Sequence, residues 1–330
     1  MKQRRIGAAE VSCLGVGGMS FSDMYGATTE ENSFAVLDLA REVGVTHIDT
    51  SNIYGMGRSE TTIGAWLKAN PGARDGLHIA TKAGITKDAE GNRCFDNSPA
   101  HMEAELDGSL KRLGVDCVDL FYAHRYQAEI PPEEVAGTLG RLVEKGKCRA
   151  IGLSEIAPAT LRRAHAEHPV AAVQSEYSLS TRAPELGLLQ ACAELGTALV
   201  AFSPVGRSLL TDHPLTREAI SESVFLRTNP RFTEPNLTAN LEMVAGFRAL
   251  AAEMGLSAAA LAIAWTLHKG PHVIPIPGTR SVAHFRELVE GAEASLSDAQ
   301  MARVEQVLPM GWCHGDRYTA AQWVGPERYC

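Results

Sequence analysis

Residues 45–55 read VTHIDTSNIYG, and their pattern recurs through the rest of the chain. The stretch begins as a short β-branched strand, Val45 to Ile48, and continues as a polar loop that leads into a helix near Ser59. Asp49 therefore lies at the carboxyl end of a strand, and Tyr54 follows in the loop. Because catalytic side chains collect at this position in α/β sheets and barrels, the stretch predicts an α/β protein with a site at its strand ends.

Short apolar strands alternate with helices along the chain. The predicted strands are Cys13–Gly18, Val45–Asp49, Leu77–Lys82, Val118–His124, Cys148–Leu153, Val170–Ser175, Ala198–Ser203 and His272–Ile276. Apolar, β-branched strands of this kind are typical of a buried parallel sheet. We therefore predict a single (β/α)8 TIM barrel within one domain, residues 1–330. A doubly wound open sheet is the alternative, although the G-x-G-x-x-G fingerprint is absent after the first strand.

Several segments extend this repeat. We expect a β-hairpin over residues 1–12, a first helix opened by a capping box at Thr28-Thr29-Glu30-Glu31, and a polar connection over residues 83–97. Residues 204–239 are too long for an ordinary connector and predict a functional loop over a site. The C-terminal part is predicted to hold helices near Leu241–Met254 and Ser257–Lys269, two extra helices at Val282–Glu290 and Ser297–Leu308, and an irregular tail with Trp312, Tyr318, Trp323 and Tyr329.

Net charge, apolar runs and cysteine spacing indicate which classes of protein the chain can belong to. The chain has 330 residues, with 31 Lys plus Arg against 39 Asp plus Glu, and a net charge of -8. This mild acidity without a basic cluster gives no reason to expect nucleic acid. No apolar run is long enough to span a membrane, and no signal peptide is apparent. The seven cysteines are scattered without a C-x-x-C pair, so we expect free thiols and a cytoplasmic protein.

On a barrel, Asp49, Tyr54, Lys82 and His124 come from adjacent units and can converge at the carboxyl-terminal mouth. A free phenol titrates near ~10, and a nearby ammonium lowers that pKa, so Lys82 would make Tyr54 a usable acid. Asp49 would keep Lys82 charged, and His124 would orient a substrate oxygen. The sequence shows neither a metal-ligand constellation nor a serine nucleophile elbow. This set suits addition of hydride from a cofactor to a carbonyl.

A second set of residues predicts the cofactor site. The stretch from Pro275 to Ser281 follows the last strand and precedes a helix, which is where barrels bind phosphate. Phe202, at the end of the seventh strand, can stack on a nicotinamide, and the turn after it can wrap a pyrophosphate. Gln174 and Ser154 can hydrogen-bond an amide.

The whole chain resembles the aldo-keto reductase superfamily, and most closely the branch with bacterial pyridoxal- and aldehyde-reducing members. The matching motifs are Ile48-Asp49-Thr50-Ser51 with Tyr54-Gly55, Thr81-Lys82, His124-Arg125, Ile151-Gly152-Leu153-Ser154-Glu155, Gln174-Ser175-Glu176-Tyr177-Ser178-Leu179, Phe202-Ser203-Pro204 and Ile276-Pro277-Gly278-Thr279-Arg280. The resemblance implies that Tyr54 is the general acid, that Lys82 and Asp49 tune it, and that His124 orients the carbonyl.

The same resemblance implies NADPH rather than NADH, because Arg280 with Thr279 and Ser281 would hold the adenosine 2′-phosphate. The expected cofactor contacts are Ser154, Gln174, Phe202, Ser203, Pro204, Gly206, Leu210, Gly278, Thr279, Arg280, Ser281 and Glu287. Glu155 stands where many members of the family have an Asn that contacts the carboxamide.

The predicted function is NADPH-dependent reduction of a small-molecule aldehyde or ketone. One alternative is an NADPH-binding sensor or regulatory subunit with little turnover, as in the potassium-channel β-subunits, which resemble this family. Another is a barrel lyase or isomerase that uses the phosphate loop for its substrate. We expect the substrate pocket to draw on Met19, Phe21, Met24, Tyr25, the 85–97 and 204–239 loops and the tail. The sequence leaves the physiological substrate and the oligomeric state open.

Overall fold

The computed structural model describes residues 1–328, so Tyr329, predicted to belong to the tail, lies outside the described residues. The strands are β1 (Gln3–Ile6), β2 (Ala9–Ser12), β3 (Gly15–Gly17), β4 (His47–Asp49), β5 (His78–Ala83), β6 (Ile85–Lys87), β7 (Arg93–Phe95), β8 (Leu120–Ala123), β9 (Ile151–Ser154), β10 (Val170–Glu176), β11 (Ala198–Phe202) and β12 (Val273–Pro275). The α-helices are α1 (Glu30–Glu42), α2 (Arg58–Ala69), α3 (Pro99–Leu113), α4 (Pro132–Glu144), α5 (Pro158–Glu167), α6 (Leu188–Leu195), α7 (Arg217–Glu222), α8 (Asn236–Glu253), α9 (Ala258–His268), α10 (Val282–Glu293) and α11 (Asp298–Val307).

Eight parallel strands form one sheet in the order β3-β4-β5-β8-β9-β10-β11-β12. The first and last strands approach each other, because the Gly17 N–H donates to the carbonyl of Pro277 at 2.9 Å. A side chain at Gly17 would come within 2.7 Å of the Ile276 carbonyl oxygen, so this close approach requires glycine. The sheet is therefore a nearly closed barrel surrounded by helices. The predicted (β/α)8 fold is confirmed, and the open sheet is excluded.

The core has an inner and an outer layer. Inside the barrel, Leu120, Tyr122, Val200 and Ile274 pack together. Hairpin residues such as Ile6 join this cluster from the amino-terminal end of the strands. A larger cluster fills the space between the strands and the helices. Because each fully buried aliphatic side chain stabilises the fold by ~1.5–3 kcal/mol, these layers hold the strand ends in fixed positions.

Helix boundaries follow the sequence signals, with one shift. As predicted, α3 begins at Pro99 after Ser98 and ends before Gly114. At α1, however, the cap is Thr29, whose hydroxyl accepts from the Asn32 N–H, so the predicted capping box at Thr28 is wrong by one residue. The reason is local, because the N–H of Thr28 donates to Asp23 Oδ1 at 2.7 Å and holds Thr28 in the preceding loop.

Two predicted connections contain regular structure. Within residues 83–97, β6 and β7 pair as an antiparallel hairpin. Within residues 204–239, α7 forms and α8 begins at Asn236, ahead of the predicted Leu241. This segment has a small core of its own, formed by Leu209, Ile220, Leu226, Phe232 and Leu237. The interspersed prolines and polar residues conceal these apolar positions in the sequence.

Among residues 1–328, no single helix is long and apolar enough to span a membrane. Helices α8 and α9 are long and apolar enough only when taken together, and a bend of 87° separates them.

Candidate active site

The buried ion pair between Asp49 and Lys82 lies at the carboxyl-terminal mouth of the barrel. Asp49 ends β4, and Lys82 lies in the neighbouring strand β5. The Lys82 ammonium is fully buried and bonds the Asp49 carboxylate, the Thr50 carbonyl at 2.8 Å and the Tyr54 hydroxyl at 3.3 Å. The structure thus brings together three of the four residues predicted to carry the chemistry.

Burial and charge act in opposite directions on this cluster. Burial lowers the pKa of Lys82, but the Asp49 carboxylate and Tyr54 outweigh it, so the net pKa is raised and Lys82 stays an ammonium. Burial also raises the pKa of Tyr54, and the Lys82 charge only partly offsets this. The predicted direction of the Lys82 effect is therefore right, whereas the predicted net lowering of the phenol's pKa is wrong. At neutral pH Tyr54 is a protonated phenol.

His124 completes the cluster from the next strand. It follows β8, its ring meets the Tyr54 ring edge-on at 5.8 Å between centroids, and its Nδ1 lies 3.1 Å from Ser51 Oγ. Burial, together with the charges of Arg125 and Lys82, lowers the pKa of His124 well below its usual value, so the imidazole is neutral. When the Ser51 hydroxyl donates to Nδ1, the ring proton lies on Nε2, where it can donate to an oxygen.

A cavity of about 720 Å³ joins this cluster to the predicted cofactor residues. Of the proposed contacts it is lined by Gln174, Phe202, Ser203, Pro204, Gly278, Thr279, Arg280, Ser281 and Glu287. It has the size of a small-molecule site and lies where barrels bind their ligands.

Comparisons with known proteins identify the family. Residues 13–309 match the model of the aldo/keto reductase family. The chain belongs to the aldo-keto reductase family. It is 40% identical over 319 residues to aldo-keto reductase yakc [NADP(+)] of Schizosaccharomyces pombe, covering 96% of this chain and 94% of that protein. The predicted family is thereby confirmed, and the predicted use of NADPH agrees with the name of this relative.

Solved structures give the same picture. The glycerol dehydrogenase AKR11B4 from Gluconobacter oxydans superposes with a TM-score of 0.81 at 27% identity, covering 93% of this chain and 94% of that chain. Aldo-keto reductase AKR11C1 from Bacillus halodurans superposes with a TM-score of 0.76 at 23% identity, covering 98% and 99%. The second likeness supports the fold alone.

Three predicted cofactor contacts of this aldo-keto reductase do not line the cavity. Ser154 is buried and accepts a hydrogen bond from Arg125 Nη1 at 3.1 Å. Gly206 and Leu210 are buried within the turn that follows β11. Gln174 does line the cavity, but its amide donates to Asp49 Oδ2 at 2.8 Å and so holds the Asp49 carboxylate in place as well.

The predicted phosphate end of the cavity fits an anion. Ser281 caps α10, its hydroxyl accepting from the His284 N–H, and Arg280 Nη1 donates to the Ala27 carbonyl at 2.7 Å. Within the described part of the chain, no carboxylate lies within 4.0 Å of the Arg280 guanidinium. A helix amino terminus beside an arginine that forms no ion pair is a suitable site for the phosphate of NADPH.

The substrate pocket is only partly as predicted. Met19, Met24, Tyr25 and the tail residue Tyr318 line the cavity, whereas Phe21 is packed in the core and does not. The tail also closes the barrel, since the indole of Trp312 donates to the Leu179 carbonyl at 2.8 Å.

The sequence analysis assigned no role to Ser51 or to Arg125, although both belong to motifs shared with the family. Ser51 holds the imidazole of His124, and the Arg125 guanidinium lines the cavity beside it. Their positions directly after strand ends were the available signal, because side chains at these positions face the mouth of a barrel.

Proposed function

We propose that this protein reduces the carbonyl group of an aldehyde or ketone to an alcohol, with NADPH as the hydride donor and Tyr54 as the general acid. The observation that carries the proposal is the fully buried Lys82 ammonium, which contacts both the Asp49 carboxylate and the Tyr54 hydroxyl. A protonated phenol beside a fixed positive charge is a proton donor whose conjugate base is stabilised.

Bound NADPH supplies the hydride. Residues that line the cavity would hold it: Phe202 against the nicotinamide ring, the Gln174 amide near the carboxamide, and Arg280 with Thr279 at the 2′-phosphate. Glu155 is not available for the carboxamide, because its carboxylate is bonded to Arg317.

The side chains of the mouth perform the rest of the reaction. The neutral imidazole of His124 donates a hydrogen bond to the carbonyl oxygen and fixes its orientation. The Tyr54 hydroxyl transfers its proton to the same oxygen as negative charge develops there. Lys82 stabilises the resulting phenolate, and Asp49 keeps the ammonium charged and in place. Exchange with solvent then restores the phenol.

The experiment is Tyr54→Phe, which removes the proton and leaves the ring. We expect kcat/KM for aldehydes to fall roughly 100- to 10,000-fold, while the dissociation constant of NADPH, followed by quenching of tryptophan fluorescence, stays unchanged. Tyr126→Phe is the matched control, since that buried hydroxyl donates to the Ile130 carbonyl and lies outside the cavity. Retained turnover in Tyr54→Phe removes Tyr54 from the mechanism.

A screen of aldehydes and ketones with the native protein separates reductase from regulator. Consumption of NADPH supports the reductase. Tight NADPH binding without turnover of any carbonyl compound supports the regulatory subunit instead. Binding of sugar phosphates without binding of NADPH supports the lyase or isomerase.

A further inference from the structure

Arg125 is a buried arginine in the wall of the catalytic cavity. It directly follows His124, is only 8% exposed and lines the same cavity. Its Nη1 donates to the His124 carbonyl at 2.6 Å and to Ser154 Oγ at 3.1 Å. Its Nε is buried and has no hydrogen-bond partner in the described part of the chain. The protein therefore leaves part of the hydrogen-bonding capacity of the Arg125 guanidinium unused.

Arg93 brings a second guanidinium to the same cavity from the β6–β7 hairpin. It lies over the Phe95 ring, 5.0 Å from the centroid. The segment after the hairpin is tied to the loop that carries Arg125, because Asn97 and Gln127 exchange two hydrogen bonds of 3.0 and 2.8 Å. Both guanidinium groups are therefore held at the catalytic end of the cavity.

Neither of these arginines has an acidic partner. Among residues 1–328, no carboxylate lies within 4.0 Å of Arg93 or Arg125, whereas the Arg207 guanidinium of the same cavity wall is paired with Glu176 at 2.7 Å. Partial burial and proximity to Arg125 lower the pKa of Arg93, as expected for two cations that face one cavity. Arg93 is exposed at the rim of the cavity and Arg125 is buried in its wall, and both stay charged near neutral pH. An anion bound between them would offset their repulsion.

We propose that Arg93 and Arg125 bind a carboxylate on the substrate, so that the preferred substrates are aldehydes or ketones that also carry a carboxylate group. The guanidinium fork matches a carboxylate in geometry and charge. The position beside His124 places that carboxylate next to the reacting carbonyl, and the phosphates of NADPH belong to the Thr279–Ser281 side of the cavity. The inference rests on the proposed reductase function and adds the class of its substrate.

The test compares 2-, 3- and 4-carboxybenzaldehyde with their methyl esters, which keep the shape and remove the charge. We expect the native protein to have a higher kcat/KM for at least one acid than for its ester. Added salt should weaken that preference, because it screens the attraction. In Arg93→Met and Arg125→Met, kcat/KM for the acid should fall roughly 10- to 100-fold more than for the ester. Each loss is measured relative to the native protein with the same compound. The difference in intrinsic reactivity between the acid and the ester therefore does not affect the comparison of the two losses.

Two further variants control for charge and for position. Arg93→Lys keeps the charge without the fork and should retain part of the preference. Lys87→Met removes a cation from the paired position of the same hairpin, outside the cavity, and should leave the preference intact.

The outcomes separate the two proposals. Equal losses for acid and ester in both arginine variants, or a native preference for every ester, overturn the carboxylate site while reduction itself stands. A weakened affinity for NADPH in Arg125→Met, with equal effects on acid and ester, assigns the group to the cofactor and also overturns the site. Reduction of other carbonyl compounds but of none of the three acids also overturns the carboxylate site. Tight NADPH binding without turnover of any compound, these six or those of the wider screen, overturns the reductase proposal.

Discussion

Two groups of arginines lie at the mouth of this barrel, and their partners differ. Arg207, Arg231 and Arg317 surround the buried Glu176 carboxylate, and Arg317 also bonds Glu155. In contrast, Arg93 and Arg125 lie beside His124 with no carboxylate within 4.0 Å in residues 1–328. The first group ties the tail and the segment after β11 to the barrel wall. The second group has charge left to offer a ligand, so the pairing of an arginine, rather than its presence, indicates its role.

Removing the central carboxylate should break the paired group and give the largest effect. Glu176→Gln leaves three cations close together in a dry site, so we expect the free energy of unfolding to fall by ~3–5 kcal/mol in urea titrations. Glu253→Gln is the control, because its pair with Arg303 is exposed to solvent and contributes little to stability. Equal losses in the two variants would contradict a structural role for the Glu176 cluster.

A buried pair of histidines, with no carboxylate within 4.0 Å in residues 1–328, extends the comparison to side chains that can lose their charge. His47 and His78 lie with their Nδ1 atoms 3.0 Å apart where β4 and β5 begin. Burial lowers the pKa of His47 to about 4 and, with the charge of His47, that of His78 to about 3. Unlike the arginines, these side chains stay neutral and need no anion.

The pH dependence of stability follows from those values. The unfolded histidines take up protons below pH ~6.5 and the folded ones do not, so the free energy of unfolding should decrease as the pH falls from ~6.5 to about 4. Each histidine contributes a slope of up to ~1.4 kcal/mol per pH unit. His78→Gln should flatten the slope measured by urea unfolding, and the exposed His314→Gln serves as control. An unchanged slope in His78→Gln would show that the pair is not its source.

The sequence predicts which side chains meet at the barrel mouth but not these pairings. The grouping of Asp49, Tyr54, Lys82 and His124 could be predicted because strand ends are a local pattern, and the barrel then brings adjacent ends together. Whether an arginine is paired depends on contacts between residues far apart in the sequence, as when Arg317 of the tail meets Glu155, 162 positions earlier in the chain. The hairpin that carries Arg93 was missed for a related reason, since its short polar strands lack an apolar alternation.

Arg280 is a further arginine without an acidic partner in the described residues, and it tests whether such groups select anions. We expect Arg280→Met to raise the dissociation constant of NADPH roughly 10- to 100-fold and to leave that of NADH nearly unchanged, because only NADPH carries the 2′-phosphate. Fluorescence titrations with both cofactors measure this. Arg286→Met removes an exposed cation from α10 outside the cavity and should have little effect. A similar weakening of NADH binding would argue against recognition of the 2′-phosphate.

We expect the smallest effect from a substitution that weakens the arginine–carboxylate contacts around Glu176 and keeps every charge. Arg317→Lys keeps a cation near Glu155 and Glu176 but cannot reach both carboxylates with one planar fork. Because the next residue, Tyr318, lines the cavity, a looser tail should raise KM while leaving kcat almost unchanged. We expect a change of about fivefold, corresponding to ~1 kcal/mol, in steady-state assays at saturating NADPH. A fall in kcat at constant KM would instead place the Glu155–Arg317 pair in support of the reacting groups, and the distinction between paired and ligand-binding arginines would no longer hold.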